Sequence, residues 1–135
     1  MTREEERLAI AITGARRHRV TPDELSAFLD IVHELMEATG IVDYAQVTLA
    51  HGGAAGVDRY IAGIARQCGM VPVPYRPDLA LDGPYPGAPC VRNGRMLDEA
   101  RPMVPIAFPG ETGTADCVSR AKRKEITVRE ICVRP

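Results

Sequence analysis

Three short apolar runs in this chain each end in glycine and lead into a segment with helical spacing. No other feature limits the fold as much. Leu8 to Thr13 (LAIAIT) stops at Gly14. Val47 to Ala50 (VTLA) runs into His51-Gly52-Gly53-Ala54-Ala55-Gly56-Val57-Asp58. Met103 to Phe108 (MVPIAF) runs into Pro109-Gly110-Glu111-Thr112-Gly113-Thr114. A compact apolar run without polar alternation suits a strand buried on both faces. Strands that alternate with helices build a parallel sheet covered on both sides. The expected fold class is therefore α/β: three layers, α/β/α, with a mainly parallel sheet of about five strands.

The remaining elements follow from local signals. Thr21-Pro22-Asp23-Glu24 is a helix start, with Thr21 as cap, Pro22 in the first turn and Glu24 at the capping-box position. Leu25, Phe28, Leu29, Val32, Leu35 and Met36 then recur at helical spacing, a stripe that suits core or a subunit interface, and Gly40 can end the helix. A second helix is predicted from about Gly56 to Cys68, with Val57, Ile61, Ile64 and Ala65 on one face and Gly69 as its stop. Val71 to Tyr75 (VPVPY) reads as an edge strand, because proline donates no ladder hydrogen bond. Arg76 to Cys90, rich in Pro and Gly, reads as a long irregular loop, and loops of that length are often functional. Val91 to Ala100 and Thr114 to Arg123 read as helices, and Ile126 to Val133 as a fifth strand. No linker, repeat or low-complexity run divides the chain, so one domain is expected over residues 1–135.

Composition narrows the partners. Lys plus Arg number 17 and Asp plus Glu 18, a formal net charge of −1, whereas a nucleic-acid-coating domain is usually strongly basic. Aromatic residues make up 4% and Trp is absent, which argues against a base-stacking platform for single strands. The opening MTREEERLAIAITG has three acids and no apolar run of signal length, and no stretch has the length of a membrane span, so a cytoplasmic protein is expected. Cys68, Cys90, Cys117 and Cys132 form no CxxC pair and read as free thiols; no metal site and no cofactor is expected.

The glycine loops point to chemistry. Glycine lets a ligand approach the backbone, and a helix that opens just after such a loop aims free N–H groups and the positive end of its dipole at the same place. That combination suits a phosphate or pyrophosphate. Neither GxxxxGK[ST] nor GxGxxG occurs, which removes the P-loop NTPase and dinucleotide-oxidoreductase readings. Arg92-Asn93 opens a helix, where Arg92 can meet a phosphate or ribose and Asn93 a hydroxyl, or both can be a solvated helix start. Asp58 can complement a helix dipole or bond a ligand or neighbouring loop. His51 can act as an acid–base or as a structural partner. Glu111 is either solvated or a group that repels an extra phosphate. Thr114 suits a cap in either case. Arg16, Arg17, His18 and Arg19 form a small basic run that can clamp phosphate or face solvent.

Taken in order, HGGAAGVD, GAPCVRNGRM and FPGETGTAD resemble the SLOG superfamily, and within it the YspA-like branch related to YpsA. The wider group includes the Lonely Guy (LOG) phosphoribohydrolases and the DNA-processing protein DprA. The resemblance runs over nearly the whole chain. It implies a Rossmann-like sheet with a nucleotide-derived ligand across the glycine loops, and a homodimer. Gly14 and Arg16 match the first loop; Gly52, Gly53, Gly56 and Asp58, after His51, match the second; Arg92 and Asn93 match the arginine turn. Pro109, Gly110, Gly113 and Thr114 match the phosphate loop. The LOG pattern is PGGxGTxxE. Here Glu111 replaces its second glycine and Cys117 its catalytic glutamate, with Asp116 alongside. Two readings follow. One is a ligand-binding or sensing module for a nucleoside monophosphate, NAD or ADP-ribose type of molecule. The other is an N-glycosidic hydrolase of the LOG kind, with Arg92 and Asp116 as its catalytic residues. DNA work of the DprA kind does not suit a chain without a basic excess.

Overall fold

The alternation inside LAIAIT sets the thickness of the two helical layers. Successive strand residues face opposite sides. Leu8, Ile10 and Ile12 of β1 (Leu8–Thr13) join one core cluster, and Ala11 joins another. The computed structural model describes residues 6–133; the acidic opening, residues 1–5, and the last two residues lie outside it. β2 (Val47–His51), β3 (Val71–Pro74), β4 (Val104–Ala107) and β5 (Arg129–Glu130) complete one sheet in the order β3-β2-β1-β4-β5. Every pairing is parallel. Helices flank both faces, so the fold is the expected three-layer, Rossmann-like α/β/α arrangement.

The bulky face carries α1 (Pro22–Thr39) and α2 (Val57–Cys68). Phe28, Val32 and Leu35 from α1, and Val57, Ile61 and Ala65 from α2, pack with Leu8, Ile10, Ile12, Leu49 and Ile106. The α1 stripe is therefore core. Thr21 Oγ1 accepts from Glu24 N–H at 3.1 Å and Glu24 Oε1 accepts from Thr21 N–H at 2.9 Å, which completes the capping box. The small face carries α4 (Ala88–Ala100) and α5 (Thr112–Arg123), where Met96 and Cys117 pack on Ala11 and Ala50. Alanines on this face let α4 lie close to the sheet, since interiors close up around small side chains.

Strand order reverses beside β1. The chain steps outward through β2 to β3, then returns past β1 to β4. Loops leaving β1 and β4 diverge there and open a crevice at the carboxyl ends of the strands, the place where open α/β sheets bind ligands. Ala15 N–H donates to Pro109 O at 3.1 Å and fixes the two loops to each other.

Three expectations need correction. Residues 76–90 are not irregular throughout: Asp78 caps the short helix α3 (Leu79–Asp82), and α4 begins at Ala88, with Pro89 in its first turn. α5 starts at Thr112, two residues earlier than the spacing of Thr114 to Arg123 suggests. The fifth strand is only Arg129–Glu130, because Ile126 N–H turns back to Ala121 O and Glu125 takes φ 61° at the end of α5. β3, with Pro72 and Pro74, is an edge strand as its prolines require. Among the described residues no helix is long and apolar enough to cross a membrane.

Phe28 is fully buried with its ring 5.8 Å from that of Phe108. Phe28→Ala is expected to cost about 3–5 kcal/mol of unfolding free energy, and Thr21→Ala about 1 kcal/mol. Urea unfolding of the two variants tests the ranking, and equal losses would contradict it.

Candidate functional site

Arg92 stands in the first turns of α4 with 8% of its surface exposed, and a buried guanidinium needs acceptors. It has them. Nη1 donates to Gly52 O at 2.7 Å and to Tyr75 O at 3.0 Å, and Nε donates to Asn93 Oδ1 at 3.1 Å. One side chain thus joins α4 to the chain just past β2 and just past β3. Burial works against the charge on Arg92, while the carboxylate of Asp58 is the largest influence sustaining it. Asn93 extends the network: its Nδ2 donates to Gly113 O and to Asp116 Oδ2, each at 3.1 Å, and Asp116 also receives Arg120 Nε at 2.9 Å.

Asp58, in the first turn of α2, pins the second glycine loop. Its Oδ2 accepts from Gly52 N–H at 2.9 Å and from Ala54 N–H at 3.4 Å. Burial nonetheless raises its carboxyl above the ordinary range. His51 is 6% exposed, and its Nδ1 accepts from Gly53 N–H at 3.1 Å. Burial first, then the charges of Arg76, Arg66 and Arg92, hold its imidazole down to about 4, so it is neutral near pH 7. The amides of Gly52, Gly53 and Ala54 are therefore used within the protein.

The glycines do different work from one another. A Cβ on Gly52 would stand 2.6 Å from Arg92 Cζ, and one on Gly53 3.0 Å from Arg76 Cγ, so each makes room for an arginine. Gly14 makes room for Val57, and Gly110 for Thr114. Gly56 takes φ 80° and lies against the Ala15 and Arg16 carbonyls, a position that only glycine fills without strain. A Cβ on Gly113 would meet nothing within 4 Å. Of Gly110 and Gly113, only Gly113 leaves open space beside it.

That crevice is a cleft of about 520 Å³. Gly14, Arg16, Gly52, Gly53, Asp58, Arg92, Gly113 and Thr114 line it together. His51, Gly56 and Asn93 support it from behind. Pro109 and Gly110 line a larger groove of about 950 Å³ between α5 and the β4–β5 edge, and Thr114 touches both spaces. Asp116 lines neither. Cys117, where the LOG pattern has glutamate, is buried under α5, and burial pushes its thiol up to about 11. Sequence reasoning missed Arg59, Arg76, Tyr85 and Thr112 on the cleft wall. Arg59 follows Asp58 at the start of α2 and Arg76 follows β3, so position at a strand or helix end was the available signal.

Four arginines, Arg16, Arg59, Arg76 and Arg92, face the cleft against two carboxylates, Asp58 and Glu111. The guanidiniums of Arg16, Arg59 and Arg76 have no ion pair or hydrogen bond among the described residues. α5 opens onto the same space: its N-cap, Glu111, makes no side-chain capping bond, and Thr112, Gly113 and Thr114 line the wall. Amides in a first helical turn have no intrahelical acceptor, and the dipole is positive there. The cleft can therefore receive an anion. No group of residues able to hold a metal ion occurs among the described residues. Fold and cleft together define a Rossmann-like α/β protein with an arginine-lined crevice at its strand crossover. Compared with known proteins, the chain matches no family model and no curated protein.

Two variants separate space from packing. Gly52→Ala displaces the Arg92 guanidinium and is expected to lower Tm by several degrees, whereas Gly113→Ala, at an open helical position, is expected to leave Tm unchanged or slightly raised. A second expectation concerns pH. The folded pKa of His51 lies below its unfolded value, so the unfolded chain takes up the proton first. Its contribution to stability is present above about pH 6.5 and is lost as pH falls towards 4. His51→Asn keeps an acceptor for Gly53 N–H and should flatten the Tm-against-pH slope in that window; an unchanged slope would contradict a neutral His51.

Proposed function

We propose that the protein binds a nucleotide-derived small molecule, of the nucleoside monophosphate, NAD or ADP-ribose type, and serves as a ligand-binding or sensing module. One observation carries this reading: the start of α5, without a side-chain cap, and three arginines unpaired among the described residues share one cleft at the strand crossover. An anionic group there meets N–H donors, the positive end of a helix and guanidiniums able to make paired hydrogen bonds. The likeness of the loops to the YspA-like branch of the SLOG superfamily supports a nucleotide over a simple anion. It also supports a homodimer as the working form, and the absence of a signal-length or membrane-length apolar run in the sequence suits the cytoplasm.

Hydrolysis of an N-glycosidic bond is the second reading, and it asks for a carboxylate beside the sugar to stabilise an oxocarbenium-like transition state. The geometry favours it less. Asp116 is held by Asn93 and Arg120 outside the cleft, and Asp58 is engaged by two backbone amides. Glu111 is the cleft carboxylate with no hydrogen bond or ion pair among the described residues.

Calorimetric titration with AMP, CMP, NAD and ADP-ribose, followed by a mass-spectrometric time course, tests both readings. We expect measurable affinity for at least one, intact ligand throughout, and about a tenfold weakening in Arg16→Ala without a change in Tm. No affinity for any of the four would overturn the proposal. Release of free base by the parent, absent in Arg92→Ala, would replace it with the hydrolase.

A further inference from the structure

The cleft has one aromatic wall. Among the described residues, Tyr85 is the sole aromatic ring that lines it, and Tyr85 is 70% exposed. The other rings are committed or lie elsewhere. Phe28 and Phe108 pair in the core, Tyr44 packs on His33, and Tyr75 lies under the Arg95 guanidinium at 5.9 Å. Tyr60 does not reach the cleft.

Tyr85 sits on a strap that is anchored to α4, and its ring makes no ring contact among the described residues. Arg95 grips the buried Asp82 carboxylate through Nε and Nη2, each at 2.9 Å, and Nη2 also donates to Arg76 O at 2.9 Å. Asp78 N–H donates to Asp82 Oδ2 at 2.8 Å, and Asp78 in turn caps α3. Pro84 and Pro86 flank Tyr85 and restrict the backbone around it. The ring is thus offered to the cleft by a positioned segment.

Strand order supplies the direction of a bound molecule. The carboxyl ends follow one another as β3, β2, β1 and β4. Neighbouring strands are about 4.8 Å apart, so the β3 and β4 ends are separated by about 14 Å. The uncapped start of α5 stands at the β4 end, and the strap carrying Tyr85 leaves the β3 end. Arg92 and Asp58 lie between them. A ligand with phosphate at α5 places its sugar over Arg92 and Asp58 and extends its remaining ring system towards Tyr85.

We propose that Tyr85 is the base-stacking residue of the cleft, so that a planar nucleobase lies against its ring while the phosphate sits at the start of α5. This rests on the nucleotide reading above. Stacking of a base on an aromatic side chain depends on the π-face and not on base-edge hydrogen bonds, so either a purine or a pyrimidine can occupy the place.

The test is calorimetric titration of the full chain, Tyr85→Ala and Tyr85→Phe with two probes: AMP, and ribose 5-phosphate, which lacks the base. Tyr85→Ala is expected to weaken AMP about ten- to a hundredfold and to leave ribose 5-phosphate unchanged. Tyr85→Phe keeps the ring and should bind AMP like the parent. Equal weakening of both probes, or no weakening of AMP, would overturn the stacking role while the nucleotide reading stands. If the parent protein binds none of AMP, CMP, NAD and ADP-ribose, the nucleotide reading fails, and this role fails with it.

Discussion

The cleft depends on the buried guanidinium of Arg92. A cation taken out of water is costly unless each N–H finds an acceptor and a charge of opposite sign lies near. Arg92 meets that demand with two backbone carbonyls, Gly52 O and Tyr75 O, and the Asn93 carboxamide, while the Asp58 carboxylate supplies the opposing charge. The two carbonyls belong to the chain just past β2 and β3. Their positions are consequently set by α4, an element from the other layer of the fold. The same network continues through Asn93 to Gly113 and Asp116, so α5 is tied to the same anchor. A change at Arg92 reaches the β2, β3 and α5 walls of the cleft.

This arrangement needs α4 close to the sheet, and the small face allows it. Ala11 and Ala50 lie beneath Met96 and Cys117, whereas leucine, isoleucine and phenylalanine fill the opposite face. The two layers have unequal jobs. The α1 and α2 layer buries most of the large apolar side chains that stabilise the fold. The α4 and α5 layer places polar groups: Arg92 under two strand ends, and an uncapped helix start beside the crossover.

Elements whose signal is local were legible in the sequence. LAIAIT, the Thr21–Glu24 capping box and the Gly69 stop specify β1, the start of α1 and the end of α2, and the structure places them within a residue of those marks. Signals that depend on neighbours were not. Ile126 to Val133 has strand composition, yet only Arg129 and Glu130 pair in register with β4, with Ile131 N–H adding one bond to Ala107 O, because β5 is an edge whose extent is set by β4. The glycines show the same division. Their places were legible, but their reasons were not: Gly52 and Gly53 accommodate arginines that lie 40 and 23 residues further along. Arg76 and Tyr85 went unseen as cleft residues because a Pro- and Gly-rich stretch gives no direction to its side chains.

Charge follows the same logic of place over composition. A net charge of −1 describes the whole chain, but the crossover gathers four arginines and holds one of its two carboxylates in backbone hydrogen bonds. Asp58 spends its acceptor oxygen on Gly52 and Ala54, and so acts on the cleft mainly by fixing a loop and sustaining Arg92. Of the two carboxylates that line the cleft, Glu111 is the one with no hydrogen bond or ion pair among the described residues. It stands at the mouth of α5, where the helix dipole favours negative charge. A second anion entering beside it meets that carboxylate as well as the arginines. Glu111 thus places negative charge at the α5 end, while Arg59, Arg92 and Arg76 place positive charge at the β2 and β3 ends. The charges that line the cleft are therefore unevenly placed along its length, a consequence of which strand end each residue follows and not of the overall composition.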